Sequence, residues 1–435
     1  MRWSAPAERR VVEAVIAAFC DSAERSQQRL SALNYRDWIR SYHWLDASGM
    51  ALYFLDQLQS LGIEGSLPAA TLGRLRQNFK DNGGRSASLF AEFSAINRAF
   101  LQAEVRFCNL KGFTLSPDSC PYPALRCQLD CDFLVDGDHL ERCREILAET
   151  GYVRSAANRT VWEFKAGSSE LARIEDHYKP RPQRSVELHF ACAPMAPHLP
   201  SRDERLDRLA WRSWDGETFP TLSAADQFVG QALHLFAHLR SAYTRVSWLL
   251  EYRRHLAAHY DERSFWEEVR ERAQMHPNAP LAIGLATLLS TRLFGGRAPA
   301  QLDHWTLDRL PAAVRLWAEQ HGRKAVLADF PGTKLYLLLE DELARGDSDW
   351  QKQRRSSLLP MRRAPRIASA PANESLSSRL RREYYEICFL LFRLRFHVVE
   401  GLRYLIEARR WKRQPSLQST FTTHAVAETP RRSRG

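Results

Sequence analysis

Three acidic residues in two short apolar segments are the part of this sequence best suited to chemistry. In Leu129-Asp130-Cys131-Asp132-Phe133-Leu134-Val135, two aspartates stand two residues apart among large apolar side chains. Strand side chains alternate, so a strand here turns both carboxylates to one face and Leu129, Cys131 and Phe133 to the other. Two like charges on an otherwise apolar strand repel each other and resist burial; a cation that bridges them relieves both costs. Farther on, Ser185-Val186-Glu187-Leu188-His189-Phe190 repeats the pattern, with Glu187 and His189 on one face. If the two strands are neighbours, Asp130, Asp132 and Glu187 form one site of catalytic and metal-binding carboxylates. Such an oxygen-rich set suits Mg²⁺ (or Mn²⁺), which takes one or two carboxylates together with substrate phosphates and water. Its chemistry would be to neutralise a triphosphate, align an attacking hydroxyl and stabilise a phosphoryl transition state. An isolated D-x-D pair often sits at an exposed strand edge with no role; the third acid on a matching strand adds weight to a metal site without closing that alternative.

The elements that must position these acids change character along the chain. Residues 11–19, 35–62 and 88–104 place apolar side chains at three- and four-residue steps, which predicts helices, with Gly62 and Gly83-Gly84 as stops. Residues 107–112, 127–135, 151–155, 160–166, 170–176 and 185–191 are short, rich in Val, Phe, Ile and Leu and partly alternating, as strands are. One helix interrupts them, opening at Asp138 as N-cap and stopping at Gly151. After Pro200 the pattern is helical again over 223–260, 264–275, 281–295 and 310–322, and a last amphipathic stretch covers 378–411. The expected fold class is α+β: a small mixed-sheet module over 105–200, a helical region over 1–104 and a helical domain over 201–350. A basic flexible linker over 351–378, amphipathic helices over 379–413 and a disordered basic tail over 414–435 complete the expected division.

The chain of 435 residues carries a formal charge of +11. Between Gln351 and Arg382 nine basic residues stand against one acid, and between Ala408 and Gly435 seven against one, so the rest of the chain is net acidic. The basic charge therefore belongs to a loop and a tail, read first as solvated segments and second as a weak hold on nucleic acid or an acidic surface. The eight cysteines show no CxxC spacing, and no apolar run approaches the ~20 residues of a membrane span. With no secretory signal in the first residues, a cytoplasmic protein with free thiols is expected. GxSxG and GxxxxGK[ST] are absent from the sequence, which argues against a hydrolase elbow and a P-loop. His234 and His238 stand one helical turn apart but lack the HExxH glutamate, so helix packing is expected of them. Cys131 reads as an apolar filler, and the aromatic run from Tyr384 to Phe392 as core or helix contact.

The fuller pattern resembles the uncharacterised nucleotidyltransferase family, the NTP-transferase-5 group of the polymerase-β-like superfamily. The matching residues are Leu110-Lys111-Gly112, Arg126, the segment from Leu129 to Val135, Gly151-Tyr152 and Val186-Glu187-Leu188-His189. Upstream, the segment that opens with His43 is similar to a family helix; downstream, residues 222–256 are similar to its helix pair. The resemblance implies transfer of a nucleoside monophosphate from an NTP such as ATP to a hydroxyl or phosphate, with release of pyrophosphate. It implies metal binding at Asp130, Asp132 and Glu187, with Glu187 as a candidate base, and nucleotide binding at Lys111, Gly112, Arg126 and His189. His189 reads equally as a core histidine, and Arg126 equally as a surface arginine. The sequence departs from the pattern in three places. Phe113 follows Gly112 where better known members of the superfamily have serine, the spacer before Arg126 is rich in proline and cysteine, and Glu251 stands where an aspartate is usual. The acceptor stays open among metabolite, peptide, protein and RNA. So do two alternatives: a degenerate relative that binds nucleotide or a partner without turnover, and a toxin-like transferase acting on tRNA or protein.

Overall fold

The structure is a computed structural model that describes residues 7–167, 176–180, 183–193, 196–345, 347–359 and 376–414. The strand expected over most of 170–176, the middle of the basic linker and the basic tail beyond residue 414 lie outside the described residues.

Nine strands are described: β1 (Phe107–Leu110), β2 (Cys131–Val135), β3 (Val153–Ala157), β4 (Val161–Ala166), β5 (Arg184–His189), β6 (Ala191–Ala193), β7 (Ala196–Ser201), β8 (Leu209–Trp214) and β9 (Glu217–Leu222). Seven form a mixed sheet in the order β3-β4-β5-β2-β1-β9-β8, while β6 and β7 pair by themselves. β2 runs antiparallel to β1 and parallel to β5, with Cys131 opposite Val186 and Asp132 opposite Glu187. With its helical flanks the protein is α+β, as the sequence patterns predict.

The sheet does not stop at residue 200. Leu209–Trp214 and Glu217–Leu222 fold as a hairpin, and β9 then joins β1 in parallel, Asn109 opposite Thr221. The hairpin turns at Asp215-Gly216, both at positive φ (49° and 80°). That is the Asp-Gly signature of a tight hairpin turn, a signal the helical pattern after residue 222 overshadowed.

One face of the sheet is covered by the long helix Ala69–Gln102 and by Leu140–Glu149. Phe90, Phe93 and Phe100 from the long helix pack against Phe107, Phe113, Phe133 and Phe219. Cys131, Phe133 and Val135 point into this core, and Asp132 and Leu134 therefore point to the opposite face. The long helix runs unbroken through Gly83-Gly84, contrary to the expected stop. Each glycine costs a helix about 1 kcal/mol relative to alanine, and the flanking side chains offset this by anchoring the helix to the loop ahead of β2. Asn82 Nδ2 donates to the carbonyls of Ala124 (2.7 Å) and Arg126 (3.2 Å), and Arg85 donates to those of His177 (2.5 Å) and Gln128 (2.6 Å). The Leu140–Glu149 helix also starts differently from expectation: a 3₁₀ turn, Gly137–His139, leads into it and Asp138 makes no side-chain cap.

Helices from both ends of the chain share one large apolar core, from Val11 and Trp44 to Leu249, Trp317 and Trp411. The pattern over 35–62 resolves into two helices, Tyr35–Ala47 and Met50–Ser60, that meet at Gly49. Gly49 has φ +75°, and a Cβ there would come within 2.4 Å of Ser247 Oγ, so the break brings this pair against the Val246–Ala258 helix. The first part of the expected linker is helical, Trp350–Leu358, and the final amphipathic stretch is a single helix, Leu376–Trp411. Among the described residues, no helix is long and apolar enough to cross a membrane.

Candidate functional site

The acids converge on the face of the sheet opposite the phenylalanine core. Asp132, at the middle of the sheet, is the floor: its side chain is 4% exposed, against 28% for Glu187 and 23% for His189. His189 Nε2 lies 2.9 Å from Asp132 Oδ1 and 3.2 Å from Glu187 Oε2, so the imidazole closes the gap between the two carboxylates. One ligand atom from each of Asp132, Glu187 and His189 falls within a group no wider than 4.8 Å. Asp130 precedes the first paired residue of β2 rather than lying within the strand, yet it remains close enough to feel both other acids.

A sharp turn at the end of β1 delivers the nearest cation. Lys111 and Gly112 both have positive φ (52° and 50°), and Lys111 Nζ donates to Asp132 Oδ1 at 2.7 Å. A Cβ on Gly112 would come within 2.3 Å of Gln128 Nε2, the atom that donates to the Asp130 carbonyl at 2.8 Å. Glycine at 112 thus lets the Lys111 turn and the chain leading to Asp130 lie against each other.

The electrostatics separate the two aspartates. Burial disfavours a charge on Asp132, but the bonds from His189 and Lys111 outweigh it and hold this carboxyl well below the usual range. Burial and the neighbouring charges of Asp132 and Glu187 push Asp130 up to about 6. Lys111 is opposed by its own burial, yet Asp132 raises it above the ordinary lysine value; His189 is likewise raised, its bonds to Asp132 and Glu187 outweighing burial. Three acids face one lysine and one histidine here, so the cluster retains a surplus of negative potential. A divalent cation held by carboxylate oxygens fits that donor set.

Beside the acids opens a cavity of about 180 Å³ between the sheet and the helices Ala224–Leu239 and Val246–Ala258, lined in part by Lys111, Thr114, Arg126, His189, His234 and Trp248. Whole-ligand sites run from ~300 Å³ upward, so the cavity has room for part of such a ligand rather than all of it. Arg126 is not a surface arginine. Its Nε lies 3.2 Å from Glu251 Oε1, which also accepts from Tyr53 Oη at 2.9 Å, and the two ion-paired side chains are 17% and 5% exposed. Glu251, the departure noted in the sequence, is thus the partner that holds Arg126 at the cavity wall. His234 and His238 do pack at a helix interface, with ring centroids 4.7 and 4.4 Å from Trp248, but His234 also faces the cavity. Burial, then the neighbouring Lys111 charge, pushes His234 down to about 3, which keeps this wall neutral.

Thr114 and Gln227 line the cavity but were not among the residues expected at the site. Phe113 is core, 5.0 Å by ring centroid from both Phe90 and Phe93. The hydroxyl beside the turn belongs to the next residue: Thr114 Oγ1 donates to the Lys111 carbonyl at 2.7 Å and accepts from Gln227 Nε2 at 2.8 Å. The signal that could have found it is the one-residue displacement of a hydroxyl from the position after glycine. Gln227 gave no signal of its own, because only the packing of two helices over the sheet brings it there, whereas Trp248 belongs to the tryptophan–leucine segment through which residues 222–256 resemble the family's helix pair.

A comparison with curated proteins finds no match. The sequence profile of a family described as uncharacterised nucleotidyltransferase matches residues 34–295, which span the acids, the Lys111-Gly112 turn and both cavity helices, and the chain belongs to that family.

Proposed function

We propose that the protein transfers a nucleoside monophosphate from an NTP to a hydroxyl or phosphate of an acceptor. In this reaction an acceptor oxygen bonds to the α-phosphorus as the bond to the bridging oxygen breaks, and pyrophosphate leaves. The observation that carries the reading is the register that sets Asp132 beside Glu187, with Asp130, His189 and Lys111 around them. Family membership supports the reaction class. Asp132 and Glu187, with Asp130 beside them, are the residues that would hold Mg²⁺ (or Mn²⁺). Bound there, the ion would supply neutralisation of the triphosphate and of the charge that develops at phosphorus.

The chain's own groups do the rest. Lys111 is a point charge at the triphosphate and Arg126 a second cation fixed by Glu251. Glu187, the more exposed acid, takes the proton of the incoming hydroxyl, and His189 orients it. The neutral His234–Trp248 wall offers a face for the base. Binding phosphate cations and an apolar wall in one cavity is what a nucleotide needs.

The test is incubation with Mg²⁺, each α-labelled NTP and cell extract as acceptor, beside an Asp130→Ala/Asp132→Ala variant. Label transfer by the unaltered protein alone supports the proposal and names the nucleotide. A second reading, nucleotide binding without turnover, is favoured by one observation: Lys111 and His189 both already occupy Asp132 Oδ1. Mg²⁺-NTP binding by calorimetry with no label transfer to any extract fraction would replace the first reading with the second.

A further inference from the structure

At the far end of the Val246–Ala258 helix a second group of ligating side chains comes together. His255 lies in the last turn and is fully buried, His259 follows one turn later, and Asp118 reaches them from the chain after Leu115. One ligand atom from each falls within a group no wider than 4.8 Å, and none of the acids around Asp132 takes part.

Hydrogen bonds set both tautomers. His259 Nδ1 lies 2.9 Å from Glu262 Oε2, a carboxylate that accepts, so this nitrogen carries the proton. His255 Nδ1 faces Gln231 Oε1 at 3.4 Å, while Gln231 Nε2 donates to Ser119 Oγ at 2.8 Å, so here too Nδ1 is the donor. In the neutral imidazoles each Nε2 is left with a lone pair, and both Nε2 atoms are buried without a hydrogen-bond partner among the described residues. The two rings are neighbours, with centroids 5.2 Å apart. Two buried acceptors that meet no donor among the described residues cost free energy. Asp118 adds a carboxylate whose Oδ2 accepts from Arg212. Imidazoles held through Nδ1–H by oxygen acceptors, and a carboxylate held by an outer donor, are the arrangement that orients metal ligands.

We propose that Asp118, His255 and His259 form a zinc-type site for a divalent transition metal. Two imidazole nitrogens select such an ion over Mg²⁺, and three protein ligands leave one tetrahedral position to water. The ion ties the end of this helix to the chain that follows the Lys111-Gly112 turn. Gln231, which contacts His255 and Ser119, also lines the cavity beside Lys111 and Arg126, so the metal braces one wall of it.

The test is Co²⁺ titration of the chelator-treated full chain in excess Mg²⁺, read by the visible d–d bands and reversed with Zn²⁺. One Co²⁺ should bind with nitrogen-ligand bands, and Asp132→Ala should leave this binding intact. Outer partners of a metal already cost 10–100-fold in affinity when removed, so His259→Ala and Asp118→Asn should each weaken it by roughly 100-fold or more. His259 is at the helix end, and circular dichroism of that variant verifies that it is folded. Absence of the bands in the unaltered protein, full retention by folded His259→Ala, or their loss in Asp132→Ala would each overturn the proposal.

Discussion

Asp132 stands opposite Glu187 in the parallel β2–β5 pairing, and the His189 imidazole bridges their carboxylates. The pairing fixes which acids meet: a shift of one residue would turn Asp132 toward the phenylalanine core and leave Cys131 beside Glu187. The backbone of two central strands therefore holds the acids in place, with little left to side-chain freedom.

Removing either acid should cost transfer far more than folding. The charge stabilisation at stake is several kcal/mol, so Asp132→Asn and Glu187→Gln should each lower kcat by roughly 100- to 10,000-fold. Label-transfer rates under saturating NTP check this; rates within threefold of the unaltered protein would remove these residues from the chemistry.

Gly112→Ala should damage both stability and the site. It combines a positive φ with a collision against the Gln128 amide, and should cost about 3 kcal/mol in all. With Gln128→Ala already present, the same substitution should cost only the backbone part, about 1–2 kcal/mol. Urea unfolding of the four proteins in this cycle measures the difference, and equal costs in both backgrounds would refute the contact.

Arg126 depends on Glu251 for its charge to be tolerated where it lies. Truncating one partner of a buried ion pair leaves the other uncompensated, so Glu251→Gln should destabilise the protein by about 3 kcal/mol. An Arg126→Met/Glu251→Gln double variant should recover much of that loss while binding NTP more weakly. Chemical denaturation together with NTP titration separates the two effects.

His234 should make the protein acid-sensitive. Its folded value is about 3 against an ordinary 6.5, so only the unfolded chain takes up this proton as pH drops below about 6.5. A depressed basic group contributes stability above its unfolded pKa and loses it as pH falls toward the folded value. The melting temperature should therefore fall from about pH 6.5 downward, and less steeply in His234→Leu. Parallel melting curves for the two proteins would show that His234 is not the cause.

The site's acids were legible because alternation is a local property: Leu129 to Val135 and Val186 to Phe190 each declare their two faces in a handful of residues. Lys111, which the resemblance implies at the triphosphate, and His189 come together at Asp132. What could not be read was tertiary. Glycines 83 and 84 argue for a break until Asn82 and Arg85 are seen tethering the helix to the chain before β2. Arg126 was equally a surface or a site residue until Glu251, far along the sequence, proved to be its partner. The β8–β9 hairpin is the exception, since Asp215-Gly216 is a local turn signal that stands between the strand-patterned module and the helical pattern from residue 223. His255 and His259 show their one-turn spacing in the sequence, but Asp118 meets them only through the packing of the sheet against its helices.

β1, whose end carries Lys111, lies between β2 and β9, and a helix and a hairpin separate β2 from β5 along the chain. Both closures join distant stretches of chain, so their loop entropy is paid before any contact rewards it. During synthesis the acids are therefore expected to stay apart and hydrated, with their mutual repulsion met only when the sheet closes around them. A nascent chain ending ahead of β9 would carry each acid and the lysine, yet lack the strand that completes the setting of β1. Assembly of the site is in this sense expected late in folding, and, on the proposed function, nucleotide binding by a growing chain would report that the sheet had closed.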